Sequence, residues 1–234
     1  FEFRWVAKPR HLMWDAAFAG GSIIASFAQG VILGGILQGI VVKDGAFGGG
    51  AFDWMTPFAL LCGLGVVAGY ALLAAGWLVM KTDGRVADHA RGMIRPLLCL
   101  VGAAAAAISV WTPIQVDRIA ARWFVAPNIY FLWLLPAATA ALGLMIWREA
   151  GRRSDYAPFF ATIGVFLLCY LGLAISNFPY LVPPTLTVWD TAAVPASQIF
   201  VLIGVCLLLP MILGYTIFIY WTFRGKVRHG EGYH

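Results

Sequence analysis

The sequence predicts an all-α, polytopic membrane protein with six transmembrane helices in one integral membrane domain over residues 1–234. Three observations carry this. Of 234 residues, 61% are hydrophobic and only 12% are charged, about half the ~25% usual for a soluble domain. Six apolar runs reach the roughly 20 residues that a bilayer crossing needs. The charges sit in short clusters between those runs, which is a membrane-topology pattern. The net charge of +5 is therefore no pointer to nucleic acid. Alternation broken by hairpin turns is lacking. Helices are the spanning elements that satisfy their own backbone groups in lipid.

The spans are expected at about 14–42, 54–80, 96–116, 125–147, 156–177 and 198–223. The first is uncharged from Ala16 to Val42. Asp15 falls in its first turn, where the helix dipole favours a carboxylate. Ser22, Ser26 and Gln29 share one face at i, i+4 and i+7. Gly30, Gly34, Gly35 and Gly39 supply small residues for close helix approach. Two readings stay open here. Asp15 and the polar face either cap and pack helices, or Asp15 and Gln29 line a proton or quinone path, since intramembrane polar groups mark such paths.

The second span follows Asp53 and Pro57, a capping carboxylate and a first-turn proline. Gly65 and Gly69 mark a packing face. The third runs from Pro96. The fourth contains Trp133 half-way and Pro136, which should kink it. Ser154 and Asp155 precede the fifth, with Pro158 in its first turn. Pro179, Pro183 and Pro184 stop it near Asn177, because proline breaks a helix interior. Ser197 can cap the sixth, and Pro210 should kink it. Trp14, Trp54, Trp77, Trp111, Trp123, Trp147 and Trp221 lie at span boundaries, as an interfacial belt.

Six spans place both chain ends on one side. Of 16 lysines and arginines, all but Lys43, Arg118 and Arg122 fall on that side. The positive-inside rule then makes the first residues, the 81–95 loop, the 148–155 loop and the tail cytoplasmic. The loops at 43–53, 117–122 and 178–197 face outward.

Candidate chemistry is sparse. Cys62, Cys99, Cys169 and Cys206 lie in apolar runs with no CxxC or Cys–His spacing, so they read as core residues. His11, His89, His229 and His234 all fall in cytoplasmic segments. Membrane haems take His or Met ligands from facing helices. Met145 and Met211 are intramembrane, but read as packing. Gly48-Gly49-Gly50 lacks the Lys-Ser/Thr of a phosphate loop and reads as a turn. No catalytic, cofactor-binding or metal-ligating residue is assigned.

The segment FPYLVPPTLTVWDTAAVPAS, the span after it and the tail RGKVRHGEGYH bear a family likeness. FPYLVPP, LTVWDTA and YWTFRGKV resemble subunit II of the cytochrome bd family of quinol oxidases. Phe1-Glu2-Phe3-Arg4 is similar to the sequence that follows the third span of that subunit. The resemblance thus implies a nine-helix subunit whose first three helices precede this chain. It further implies a quinol-oxidising, dioxygen-reducing complex of the bacterial inner membrane, with protons taken up from the cytoplasm. Haems and the quinol-oxidising loop belong to subunit I, and subunit II supports it without ligating haem. The expected partners are haem-bearing subunit I, lipid, quinol and a small accessory single-helix subunit. The first span would complete one four-helix bundle, spans two to five would form a second, and span six would be peripheral. The short tail is closer to the cyanide-insensitive branch. The alternative is a transporter or permease subunit, which six glycine-rich spans also suit, although no charged or broken helix marks a midplane site.

Overall fold

The computed structural model describes residues 11–43, 45–152 and 154–226. Six of its helical segments are long and apolar enough to cross a membrane. Helix α1 spans His11–Gln38. A two-residue hairpin, β1 (Val42–Lys43) and β2 (Ala46–Phe47), leads to α2 (Pro57–Lys81). Helix α3 (Arg85–Gln115) runs directly into the short α4 (Asp117–Phe124). Then come α5 (Asn128–Leu132), α6 (Leu134–Gly151) and α7 (Ala157–Asn177). A second hairpin, β3 (Tyr180–Val182) with β4 (Leu186–Thr187), precedes α8 (Pro195–Thr222).

The main core is shared by α2, α3, α6 and α7. Leu72, Val79, Ile94 and Ile146 are buried in it, with Ala75, Ala90, Ala150, Ala161 and Val165 between them. Small residues dominate because lipid tails are as apolar as leucine, so helices associate by close packing instead. Helix α1 lies against α2 on glycines. A Cβ at Gly30 would fall 2.5 Å from the Cys62 carbonyl oxygen, and one at Gly34 would fall 2.6 Å from Ala59 Cα. Gly63 answers from α2, where a Cβ would strike the Phe27 ring at 2.6 Å. Gly69 and Gly76 likewise admit Phe166 and Phe159 of α7. A smaller core of Leu37, Phe58, Cys62, Val116 and Ile119 closes the opposite end.

Several local expectations are corrected. Helix α3 begins at Arg85, not at Pro96, so most of the 81–95 stretch is helical. Its early face is amphipathic: Ala87, Ala90 and Ile94 are buried while Asp88 and His89 between them stay exposed. The 117–122 loop is the helix α4. The fourth span is split at Trp133. Pro136 has no N–H to give to Leu132 and its ring crowds that carbonyl, so the helix breaks one turn earlier.

The helix caps also differ. Thr56, not Asp53, caps α2: its hydroxyl accepts from Ala59 N at 3.0 Å. Asp53 instead accepts from Gly50 N at 2.6 Å and closes the glycine turn. Helix α8 starts at Pro195, so Ser197 lies inside it and caps nothing. Ser154 Oγ does accept from Ala157 N, at 3.4 Å, at the start of α7. Helix α1 is already helical at His11, so Asp15 sits beyond the first turn.

Candidate functional site

Among the described residues, the side-chain bonds that join different helices collect at the two ends of the bundle and at the Tyr70–Gln29 pair between them. At one end, Gly39 ends α1 with φ of +104°, a conformation that glycine tolerates. The chain then passes close to the proline loop, and Ile40 N donates to Pro183 O at 2.9 Å. The motifs FPYLVPP and LTVWDTA fold onto each other as the β3–β4 hairpin. Val188 N donates to Pro179 O at 2.9 Å, and Phe178 meets Trp189 edge-on at 5.8 Å. Asp190 accepts from Thr187 N at 3.0 Å and from Thr187 Oγ at 2.6 Å. Those bonds hold its carboxyl below the usual carboxylate range.

Arg118 of α4 ties this loop to the helix ends. Its guanidinium donates to Leu37 O at 2.9 Å, to Ser176 O at 3.3 Å and to Asn177 Oδ1 at 3.4 Å. It also lies 5.9 Å from the Tyr180 ring centroid. The carbonyls at the ends of α1 and α7 have no intrahelical donor and carry the negative end of the helix dipole, so a cation is suited to them. Burial lowers the Arg118 pKa from its usual value, yet guanidinium stays charged. Arg122 donates to Ile175 O at 2.7 Å, and Trp123 Nε1 to Ser176 Oγ at 2.9 Å. Beside them, Thr56 Oγ donates to Gln38 Oε1 at 2.6 Å, and Gln38 Nε2 donates to Gln115 Oε1 at 3.0 Å.

At the other end four charges alternate. Arg91 donates to Asp155 at 2.8 Å and to Ser154 O at 3.0 Å. Lys226 reaches Asp155 at 2.8 Å and Asp83 at 2.9 Å. Lys226 first, with Arg91 after it, lowers the Asp155 pKa, and the two carboxylates raise that of Lys226. Lys81 Nζ donates to Phe223 O at 3.2 Å, and Trp77 meets Tyr220 edge-on at 6.0 Å. Among the described residues, the side-chain bonds and ring contacts that join α8 to the bundle all lie at this end. No residue of α8 is buried.

Between the ends, Tyr70 OH donates to Gln29 Oε1 at 2.9 Å. Ser22 and Ser26 bond back to Phe18 O and Ser22 O of their own helix. The expected polar face is thus divided: Gln29 bridges α1 and α2, whereas the serine hydroxyls bond within their own helix. Sequence reasoning missed Tyr70, although a phenol within an apolar span needs a partner and Gln29 offered one. Arg118 and Lys226 were missed as clamps because their partners are backbone or distant in sequence.

The histidines are not brought together. His89 lies one turn into α3, exposed, and is helical and not in a loop. The His11 side chain, His229 and His234 lie outside the described residues. Met145 and Met211 are 44% and 70% exposed.

The segment that carries these features matches a known family. The family model for cytochrome bd terminal oxidase subunit II matches residues 1–223. A "Probable cytochrome oxidase subunit 2" of Haemophilus influenzae is 26% identical over 211 residues, covering 76% of this chain and 55% of that protein. The "Cytochrome bd-I ubiquinol oxidase subunit 2" of Escherichia coli K12 is 28% identical over 210 residues, with the same coverage. The chain therefore spans about half the length of the curated relatives it matches. Because the match covers all but the last eleven residues, including all of α1 to α8, the chain belongs to the cytochrome bd terminal oxidase subunit II family.

Proposed function

We propose that this chain acts as the subunit II portion of a bd-type quinol oxidase in the bacterial inner membrane. Its complex oxidises quinol, reduces dioxygen to water and draws the protons from the cytoplasm. The family match over residues 1–223 carries this reading. The named relatives, one a ubiquinol oxidase subunit, support it further, and nothing in either name suggests a permease. In this reading the chain packs beside a haem-bearing subunit I and supports it, with quinol, lipid and a small single-helix subunit as further partners. The Arg91–Lys226 end faces the cytoplasm and the Arg118 end faces outward, as the positive-inside rule requires.

In this reading the described donors of this chain are not haem ligands. A bundle haem needs axial side chains that project inward from facing helices. The shared core of α2, α3, α6 and α7 is lined by Leu72, Val79, Ile94 and Ile146, none of which can ligate iron. Met145 and Met211 turn outward, and His89 is among surface charges. The redox steps therefore belong to the partner in this proposal.

The test uses the whole complex purified through a tag on this chain. A haem-bearing partner and quinol-dependent oxygen uptake are expected to accompany it. Changing His11, His89, His229 and His234 together to alanine is expected to leave the haem content unchanged. Loss of one haem per complex, with both subunits still present in equal amounts, would overturn the assignment. A cysteine placed at Gly230 is expected to label only from the cytoplasmic face.

A further inference from the structure

At the Arg91 end, α3 and α6 flank a shallow, open cavity of about 380 Å³, lined by Asp88, Arg91, Gly92, Arg95 and Ala150. That volume is at the lower end of the ~300–1,000 Å³ of ligand sites. Gly92 forms its open floor: a Cβ there would meet nothing within 4 Å. Arg95 is laid across its side. Its guanidinium sits 5.0 Å from the Trp147 ring centroid and donates to Trp147 O at 3.4 Å. Gly151 lets it lie there, since a Cβ at that position would collide with the guanidinium.

The charges of this cavity are unequal in commitment. Arg91 is spent on Asp155 and Ser154. Arg95 uses one of its five N–H donors in the contact above. Asp88 makes no ion pair among the described residues. Asp88, Gly92 and Arg95 follow one another at i, i+4 and i+7 on α3. Side chains on a helix lean toward its N-terminus, so Arg95 leans toward Asp88. The cavity thus offers one guanidinium with donors to spare and one carboxylate without a cation. Further along the same face, Cys99, Gly102, Ala103 and Ala106 are all exposed and small, so no bulky side chain stands on that stretch of α3 leading away from the charges.

We propose that this cavity binds the phosphoethanolamine headgroup of a membrane phospholipid. Arg95 donates to the phosphate, Asp88 accepts from the ammonium, and an acyl chain lies along Cys99, Gly102, Ala103 and Ala106. Basic pockets between helices at a membrane face take lipid headgroups in general. Here Asp88 decides the headgroup. A purely anionic lipid would leave this carboxylate against its own negative charge. A choline headgroup has no N–H for it to accept. A wholly apolar transmembrane helix of a partner would cover Arg95 and Asp88 and leave two charges unpaired, which is strongly unfavourable.

The test is native mass spectrometry of the purified, delipidated complex, after adding back dioleoyl phosphatidylethanolamine, phosphatidylglycerol or phosphatidylcholine. One phosphatidylethanolamine is expected to rebind at least tenfold more tightly than the other two. Arg95→Gln is expected to lower that binding at least tenfold. Asp88→Asn is expected to erase the preference over phosphatidylcholine. Gly92→Phe fills the cavity from a position where a Cβ meets nothing within 4 Å, and is expected to expel the lipid while leaving the thermal melt unchanged; it decides the matter if Arg95→Gln fails to fold. Undiminished binding in Gly92→Phe would overturn the proposal. So would a wild-type preference for phosphatidylglycerol, or displacement of the lipid by millimolar inorganic phosphate. Cross-linking of Ala103→Cys to a co-purifying protein helix would overturn it in favour of a protein partner.

Discussion

Replacing Arg118 by glutamine removes the clamp that joins the ends of α1 and α7 to the proline hairpin. The bond to Leu37 O is short at 2.9 Å, whereas those to Ser176 O and Asn177 Oδ1 are long at 3.3 and 3.4 Å. A bond from a charged donor contributes about 1.5–3 kcal/mol, and only the short one is given that full weight. The contact with Tyr180 adds about 0.5–1 kcal/mol at a partly exposed site. The long bonds add less than the short one. The loss is therefore about 2–4 kcal/mol, and Leu37 O and Ser176 O are left without their donor. For a chain of this length each kcal/mol shifts the melting point by roughly 2–4 °C, so the drop is on the order of 5–15 °C. Arg118→Lys keeps the charge but loses the planar fork, and should fall between. The assay is thermal unfolding of the detergent-solubilised complex, followed by intrinsic tryptophan fluorescence. If Arg118→Gln melts within about a degree of the parent, or if Arg118→Lys is the worse of the two, the clamp does not carry the load assigned to it.

Thr56→Ala removes the cap on α2 and is expected to cost about 1 kcal/mol, read as a lower melting point, while Asp53→Ala leaves α2 stability unchanged because Asp53 closes a loop. Gly34→Leu must push α1 from α2 and is expected to cost roughly 1–3 kcal/mol. Gly35→Ala, where a Cβ meets nothing within 4 Å, should be neutral or stabilising by up to about 1 kcal/mol; equal melts for the two variants would remove the close-packing account. The pH dependence of the α8 anchor follows from two opposite shifts. Asp155 is depressed from 3.8, so its contribution is present above that pH and is lost as the pH falls through the lower folded value. Lys226 is raised from 10.5, so its contribution is present below that pH and is lost as the pH rises through the higher folded value. The spin-label distance between positions 78 and 222 should thus be constant from about pH 5 to pH 9 and should broaden in stronger acid.

Much of this architecture is legible in the residues. Hydropathy and prolines 179, 183 and 184 give a helix ending at Asn177, because a membrane span must satisfy its own backbone and proline cannot. What was not legible depends on tertiary partners. Pro96 looks like a helix start, but Ala87, Ala90 and Ile94 have a core to enter, and that burial extends α3 through the charged stretch. Asp53 and Thr56 are both plausible caps by type. The glycine turn claims the aspartate and leaves α2 to the threonine. The end clusters were hidden for a different reason. Arg118 binds carbonyl oxygens, which every residue has, so no sequence pattern announces its partners. Lys226 and Asp83 are joined across 143 positions of chain. The Ser22–Ser26–Gln29 face was visible as a pattern, yet its three members divide between self-bonding and a bridge to Tyr70.

Helix α8 is a lever fixed at one end. Its 28 residues give it a length of about 42 Å. Because Tyr220, Phe223, Gly225 and Lys226 supply its ties to the bundle, a tilt of about 10° about that pin carries its far end through roughly 7 Å. A bilayer that thickens or thins imposes tilt on any helix longer than its hydrocarbon layer. Here α8 can take up that tilt alone, while the core of α2, α3, α6 and α7 keeps its packing. The free end is also where the FPYLVPP hairpin joins the helix, so membrane thickness and the position of that hairpin are mechanically linked.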